Sequence, residues 1–216
     1  MLEYYSEKSR IIIVSNRLPL VIRKDEHGKI IFEKGAGGLV TAMAPVLEQK
    51  QGTWVGWPGY TLEKGAKDHA VTALESNSAG YDIRPVPLDA SEIKNYYEGF
   101  SNSVLWPLFH GFTGPCLFRP EYWDAYRQVN EKFAQIVSDN IQDNDLIWVH
   151  DYQLLLLGQL LGKTVKKNRI GFFLHIPFPS VEIFSRCPWR YELLSAMLEY
   201  DLVGFLRLPP ILGPLA

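Results

Sequence analysis

The chain has 216 residues, of which 47% are hydrophobic and 21% charged, a composition typical of a folded globular protein and not of a disordered one. Its formal net charge of −2 gives no electrostatic basis for binding nucleic acid or an anionic membrane surface. No apolar run is long enough to span a bilayer, and the first ten residues lack the apolar core of a signal peptide. The two cysteines, Cys116 and Cys187, lie outside any CxxC motif, so we expect a cytoplasmic protein with reduced thiols.

Short apolar runs predict strands, and apolar residues at three- and four-residue steps predict helices between them. The predicted strands are 11–15, 53–57, 81–88, 146–150, 170–174 and 202–205, and the predicted helices include 120–140, 152–161 and 189–198. This alternation predicts an α/β fold with a doubly wound, mostly parallel, Rossmann-like sheet. The segment 21–33, with Asp25-Glu26-His27-Gly28 at its middle, predicts an inserted β-hairpin after the first strand.

The end of the first strand and the glycines that follow it suggest a site for an anion. Arg17 lies just past the strand, where residues line the ligand crevice of an open α/β sheet. Gly37 and Gly38 let a ligand approach the backbone, and a helix that begins there turns free N–H groups towards negative charge. Together they indicate a phosphorylated small molecule. The alternatives are a surface charge and a tight connection.

Pro45 breaks the pattern of the helix that should start at these glycines. A proline in a helix interior costs about 3 kcal/mol. The helix is therefore expected either to begin nearer Ala44 or to be kinked at Pro45.

Two later strand ends also carry polar residues. Asp151 follows the strand 146–150 and can accept hydrogen bonds from sugar hydroxyls, whereas the alternative is an N-cap of the next helix. His175 follows the strand 170–174 and can donate to developing negative charge, whereas the alternative is a core histidine bonded to backbone. The histidines show no zinc-ligand spacing, so we expect no metal site.

The segment 95–110 is dense in aromatic and small polar residues. Tyr97 can offer its phenol hydroxyl to a phosphate, and Trp106 can present an apolar face to a pyranose ring. The alternative is a loop that packs its own aromatic side chains.

Seven sequence pieces, in order, together carry a family resemblance. They are VSNRLP (14–19), GAGGLVTA (35–42), WVGWPG (54–59), YYEGFSNSVLWPLFH (96–110), DLIWVHDYQL (145–154), GFFLHIPFPSVEIF (171–184) and DLVGF (201–205). The set resembles the amino-terminal half of the trehalose-6-phosphate synthases, which are retaining glycosyltransferases of the two-domain GT-B fold. The glucosylglycerol-phosphate synthases share much of this pattern and are the nearest alternative.

The resemblance implies transfer of glucose from UDP-glucose to glucose 6-phosphate, with no cofactor. Arg17 and Tyr97 would hold the acceptor's phosphate, Asp151 would bind its hydroxyls, and Trp106 would line its pocket. The family is thought to react by front-face attack without a protein nucleophile, which agrees with the lack of paired carboxylates in these motifs.

On the donor side, the resemblance implies that Gly37 and Gly38 bring backbone amides to the diphosphate of UDP-glucose. His175 would face the transferred glucose, so Asp151 and His175 are the residues expected nearest the reacting centre.

The resemblance also predicts the domain organisation. Residues 1–205 would form an acceptor-binding domain, residues 206–216 depart from the family as a proline-rich tail, and the carboxyl-terminal nucleotide-sugar domain is absent. These residues alone are therefore expected to be inactive, and a homo-oligomer is possible. A non-catalytic module that binds a sugar phosphate is the second class of function.

Overall fold

Six parallel strands form the central sheet of the computed structural model, which describes residues 9–24, 26, 30–35, 37–61 and 80–206. The strands are β1 (Ile11–Arg17), β4 (Thr53–Trp57), β5 (Asp82–Pro85), β6 (Leu146–His150), β7 (Arg169–Leu174) and β8 (Leu202–Phe205). Their order is β5-β4-β1-β6-β7-β8. A separate antiparallel pair, β2 (Leu20–Lys24) and β3 (Ile30–Lys34), follows β1.

The predicted α/β fold is therefore confirmed, and so is the hairpin, although its turn residues 25 and 27–29 lie outside the described residues. Side chains of β1 alternate between the two faces of the sheet because successive residues of a strand point to opposite sides. Ile12 and Val14 belong to the larger core cluster, and Ile11 and Ile13 belong to the smaller one. The buried sheet has helices over both faces, as a doubly wound fold requires.

Seven α-helical segments are described along the chain, and none of the described helices is long and apolar enough to cross a membrane. They are α1 (Gly38–Lys50), α2 (Ala90–Glu92), α3 (Trp106–Phe109), α4 (Pro120–Asn140), α5 (Leu157–Gly162), α6 (Val181–Phe184) and α7 (Arg190–Met197). The helix predicted over 120–140 is confirmed at both ends. The one predicted over 152–161 is wrong in detail, because a 3₁₀ turn, Tyr152–Leu154, precedes α5.

Helix α1 begins at Gly38 and passes through Pro45, so a start near Ala44 is wrong. Pro45 lies on the exposed side of the helix, while Ala44 and Leu47 are buried against the sheet. Burial of this apolar face offsets the hydrogen bond that Pro45 cannot donate.

The segment predicted as a possible loop is a π-helix, Ile93–Leu105, so the loop alternative is wrong. A capping box starts the helical segment at its amino end: the Asp89 carboxylate accepts from the Glu92 amide, and the Glu92 carboxylate accepts from the Asp89 amide. Tyr96 and Phe100 of the π-helix are fully buried and pack against Tyr126 of α4. This packing fixes the neighbouring Tyr97 close to the end of β4.

Candidate functional site

Three of the predicted site residues lie at one edge of the sheet. Arg17 is the last residue of β1, Asp151 directly follows β6, and His175 directly follows β7. Because β1, β6 and β7 are adjacent and parallel, their carboxyl ends meet at this edge. The fold thus brings together a cation, a carboxylate and an imidazole from three distant parts of the chain.

Asp151 connects the ends of β6 and β7 through its main chain and its side chain. Its amide donates to the Phe173 carbonyl at 2.9 Å, and its Oδ1 accepts from the Tyr152 amide at 3.0 Å and the His175 amide at 3.4 Å. The N-cap alternative is therefore correct for the 3₁₀ turn, and it is compatible with a role at the sheet edge. Burial raises the pKa of Asp151, while these hydrogen bonds and His175 oppose the shift.

The backbone of Asp151 is strained, with φ 76° and ψ 167°. This region is essentially reserved for glycine and costs another residue about 1–3 kcal/mol. Such strain persists only where the surrounding structure holds it, as the hydrogen bonds to β7 do here. A carboxylate is therefore kept at this position at a cost to stability.

His150 and His175 form a direct contact that the sequence did not reveal. His150 Nδ1 lies 3.0 Å from His175 Nε2, and the exposed fraction of His150 is 2% while His175 is exposed. Burial, and after it the charge of His175, lower the pKa of His150 to about 3. His150 is thus a neutral ring next to an accessible one.

The stability of the fold should depend on pH through His150. In the unfolded chain its pKa is about 6.5, so between about 6.5 and 3 only the unfolded state binds this proton, and the free energy of unfolding falls as pH decreases. Urea unfolding at about pH 7 and about pH 5 measures this fall in the free energy of unfolding. The fall should be about 2 kcal/mol smaller in His150→Asn than in the unmodified chain. Equal declines in the two proteins would show that His150 is not held neutral.

The guanidinium of Arg17 lies over an aromatic ring. Its Cζ lies 4.6 Å from the centroid of the Trp57 ring, and a Cβ on Gly59 would come within 2.5 Å of it. The Trp57 ring in turn lies 5.5 Å from the Tyr97 ring, and its Nε1 donates to the Tyr60 carbonyl at 3.0 Å. Arg17 and Tyr97, both predicted to bind phosphate, therefore meet at Trp57.

Trp57 and Gly59 are the residues that sequence reasoning missed here. The available signal was the aromatic residue at the end of the strand 53–57 with a glycine two positions on, because a strand end is where site residues lie. Arg17 is exposed, and it makes no ion pair with any residue in the described ranges.

The remaining predicted residues lie apart from these contacts. Gly37 and Gly38 start α1, and a Cβ built on either would meet no described atom within 4 Å, so their backbone is open to approach. Trp106 is 43% exposed, and its ring lies 4.2 Å from the His110 ring between centroids, tilted by 31°. No described contact joins Trp106 to Arg17. No group of three or more possible metal ligands occurs within the described part of the chain.

Two buried tyrosines connect the π-helix to the strand ends. The Tyr96 hydroxyl donates to Asn16 Oδ1 at 2.8 Å, and the Tyr152 hydroxyl donates to Asn102 Oδ1 at 3.1 Å. Burial raises the pKa of both phenols, so both remain protonated donors. These bonds hold the edge of the sheet and the π-helix in one arrangement.

A protein-family model described as glycosyltransferase family 20 matches residues 9–207. An alpha,alpha-trehalose-phosphate synthase (UDP-forming) from Emericella nidulans is 44% identical over 202 residues, which are 92% of this chain and 40% of that protein. The chain thus spans about two fifths of the length of such relatives.

Solved structures give the same result. An alpha,alpha-trehalose-phosphate synthase (UDP-forming) from Burkholderia vietnamiensis superposes with a TM-score of 0.78 at 35% identity, covering 92% of this chain and 41% of that one. The enzyme from Burkholderia xenovorans, solved in complex with glucose-6-phosphate, gives 0.74 at 33% identity, covering 93% and 41%. The architecture matches the amino-terminal domain of these GT-B proteins.

Proposed function

Because the chain belongs to glycosyltransferase family 20, we propose that it is the acceptor half of a trehalose-phosphate synthase, which transfers glucose from UDP-glucose to glucose 6-phosphate. Residues 1–205 form this half, and a second domain supplies the remaining donor contacts. The observation that carries the proposal is the contact of Trp57 with both Arg17 and Tyr97. These contacts lie at the edge of the sheet that also contains Asp151.

The acceptor site uses charge and shape together. Arg17 binds the phosphate through paired N–H groups, which match phosphate oxygens, and Tyr97 adds a hydroxyl. Trp57 holds the guanidinium in place by a cation–π contact, and this contact leaves the N–H groups of Arg17 free for the phosphate. Asp151 accepts hydrogen bonds from the hydroxyls of the same sugar, and Trp106 covers an apolar face of the ring.

On the donor side, UDP-glucose is contacted by backbone amides and by the imidazole of His175. The open amides of Gly37 and Gly38 at the start of α1 favour the diphosphate, since the amino end of a helix attracts negative charge. His175 faces the transferred glucose. Among the residues that directly follow β1, β6 and β7, Asp151 is the one carboxylate, so catalysis rests on positioning and on stabilising the leaving diphosphate.

Gly59 offers a test of the position of Arg17. Gly59→Ala should weaken glucose 6-phosphate binding at least tenfold, because the new Cβ would lie 2.5 Å from the guanidinium and displace it. The matched control is Gly80→Ala, which also has a positive φ and lies away from the site. Both variants should lose about 1–2 kcal/mol of stability, and calorimetric titration should show lost affinity only for Gly59→Ala. Equal affinities would contradict this position for Arg17.

Transfer itself is tested by product formation. A polypeptide of residues 1–216 should release no UDP and form no trehalose 6-phosphate, since two substrates must be held together for reaction. Fusing residues 1–205 to the carboxyl-terminal domain of the Emericella nidulans relative should produce both products, and an Arg17→Ala fusion should lose them. Product from residues 1–216 alone, or none from a folded fusion, would contradict the proposal.

A further inference from the structure

A buried histidine that the proposed reaction does not use lies beside His175. His150 ends β6 with 2% of its surface exposed, and its ring packs on Trp148 at 5.1 Å between centroids. Its Nδ1 is 3.0 Å from His175 Nε2, so one nitrogen donates a proton and the other accepts it. Which nitrogen donates fixes the tautomer of both neutral rings.

The two possible arrangements differ at the other nitrogen of His150. If His175 Nε2–H donates, neutral His150 must carry its proton on Nε2, which is buried and has no partner among the residues that the structure describes. If His150 Nδ1–H donates, His150 Nε2 carries no proton, and only its lone pair is left without a partner. A buried N–H group without an acceptor is rarer in folded proteins than a buried acceptor without a donor, so the second arrangement is favoured.

We propose that His150 is a positioning residue whose Nδ1–H group holds neutral His175 in the Nδ1–H tautomer. The burial that keeps His150 uncharged supports this, because a neutral ring has one donor and one acceptor. The second nitrogen of His175 is then a donor and suits an oxygen of the substrate. That last step rests on the proposed function, whereas the tautomer belongs to the free protein.

The tautomers are read directly by NMR. We would label the histidines of the unliganded 216-residue chain with ¹³C and ¹⁵N and record imidazole shifts at about pH 8.5, well above the ordinary histidine pKa of about 6.5. His150 and His175 should both carry their proton on Nδ1. A proton on His175 Nε2 in the unmodified chain would overturn the proposal.

Two variants separate positioning from packing. In His150→Asn the side-chain amide N–H can replace the Nδ1–H donor, so His175 should keep its Nδ1–H tautomer. In His150→Phe the donor is lost, so His175 should shift towards the Nε2–H tautomer. An unchanged tautomer in His150→Phe would overturn the proposal. Should that variant not fold, the unmodified chain and His150→Asn decide the matter. Failure to bind glucose 6-phosphate would contradict the proposed function and leave this tautomer unaffected.

Discussion

Replacing Arg17 by alanine is expected to weaken glucose 6-phosphate binding by about 1.5–3 kcal/mol, or roughly 10- to 150-fold. Arg17 ends β1 with its guanidinium stacked on Trp57 and free of ion pairs within the described ranges, so the substitution removes a charge that has no other described partner. Because a phosphate group takes paired hydrogen bonds from arginine, Arg17→Lys should recover only part of the affinity.

Isothermal titration calorimetry of the unmodified chain, Arg17→Ala and Arg17→Lys measures these differences in affinity for glucose 6-phosphate. The matched control is Arg127→Ala, which removes an exposed arginine of α4 that contacts Asp124 on a different surface. Arg127→Ala should bind glucose 6-phosphate as the unmodified chain does. An Arg17→Ala protein that also binds unchanged would remove Arg17 from the acceptor site.

Changes at Asp151 should separate stability from function. Asp151→Gly relieves the strain at φ 76° and ψ 167°, whereas Asp151→Ala keeps the strain, and both lose the bonds to the Tyr152 and His175 amides. The glycine protein should therefore be about 1–3 kcal/mol more stable than the alanine protein in urea unfolding. Both should bind glucose 6-phosphate at least tenfold more weakly, since charged hydrogen bonds contribute about 1.5–3 kcal/mol.

Asp151→Asn is the comparison for charge, because it keeps the side-chain size and one accepting oxygen. It should cap the 3₁₀ turn and stay close to the unmodified stability, yet bind the sugar more weakly. If Asp151→Gly proved less stable than Asp151→Ala, the strain would not be present in solution. If all three variants kept their affinity, Asp151 would not contact the acceptor.

Most of the sheet was predictable because β1, β4, β6 and β7 each contain a short apolar run, which is typical of a parallel strand buried on both faces. Arg17, Asp151 and His175 each lie at the end of such a run, and the carboxyl ends of parallel strands share one edge, so their common location was predictable too. Gly37 and Gly38 lie at the start of helix α1, where the sequence placed the beginning of a helix.

Features that depend on packing could not be predicted. The π-helix buries Tyr96 and Phe100 against Tyr126 of α4. This contact is between segments that are distant in the sequence, so it could not be predicted from the residues of the π-helix alone. The contact between His150 and His175 joins residues 25 positions apart through two neighbouring strands. The stacking of Arg17 on Trp57 likewise depends on the pairing of β1 with β4. Residues 207–216 of the predicted tail (206–216) lie outside the described residues. The roles of Gly37, Gly38, Trp106 and the other site residues stay predictions.

Binding of the acceptor to the 216-residue chain is the most direct test, because every proposed acceptor contact lies within it. Calorimetric titrations should compare glucose 6-phosphate with glucose, which lacks the phosphate, and with glycerol 3-phosphate, which lacks the sugar ring. Glucose 6-phosphate should bind, and each of the others should bind at least tenfold more weakly, since each loses one set of contacts. A folded chain that does not bind glucose 6-phosphate, or that binds glucose equally well, would show that this edge of the sheet is not a sugar-phosphate site.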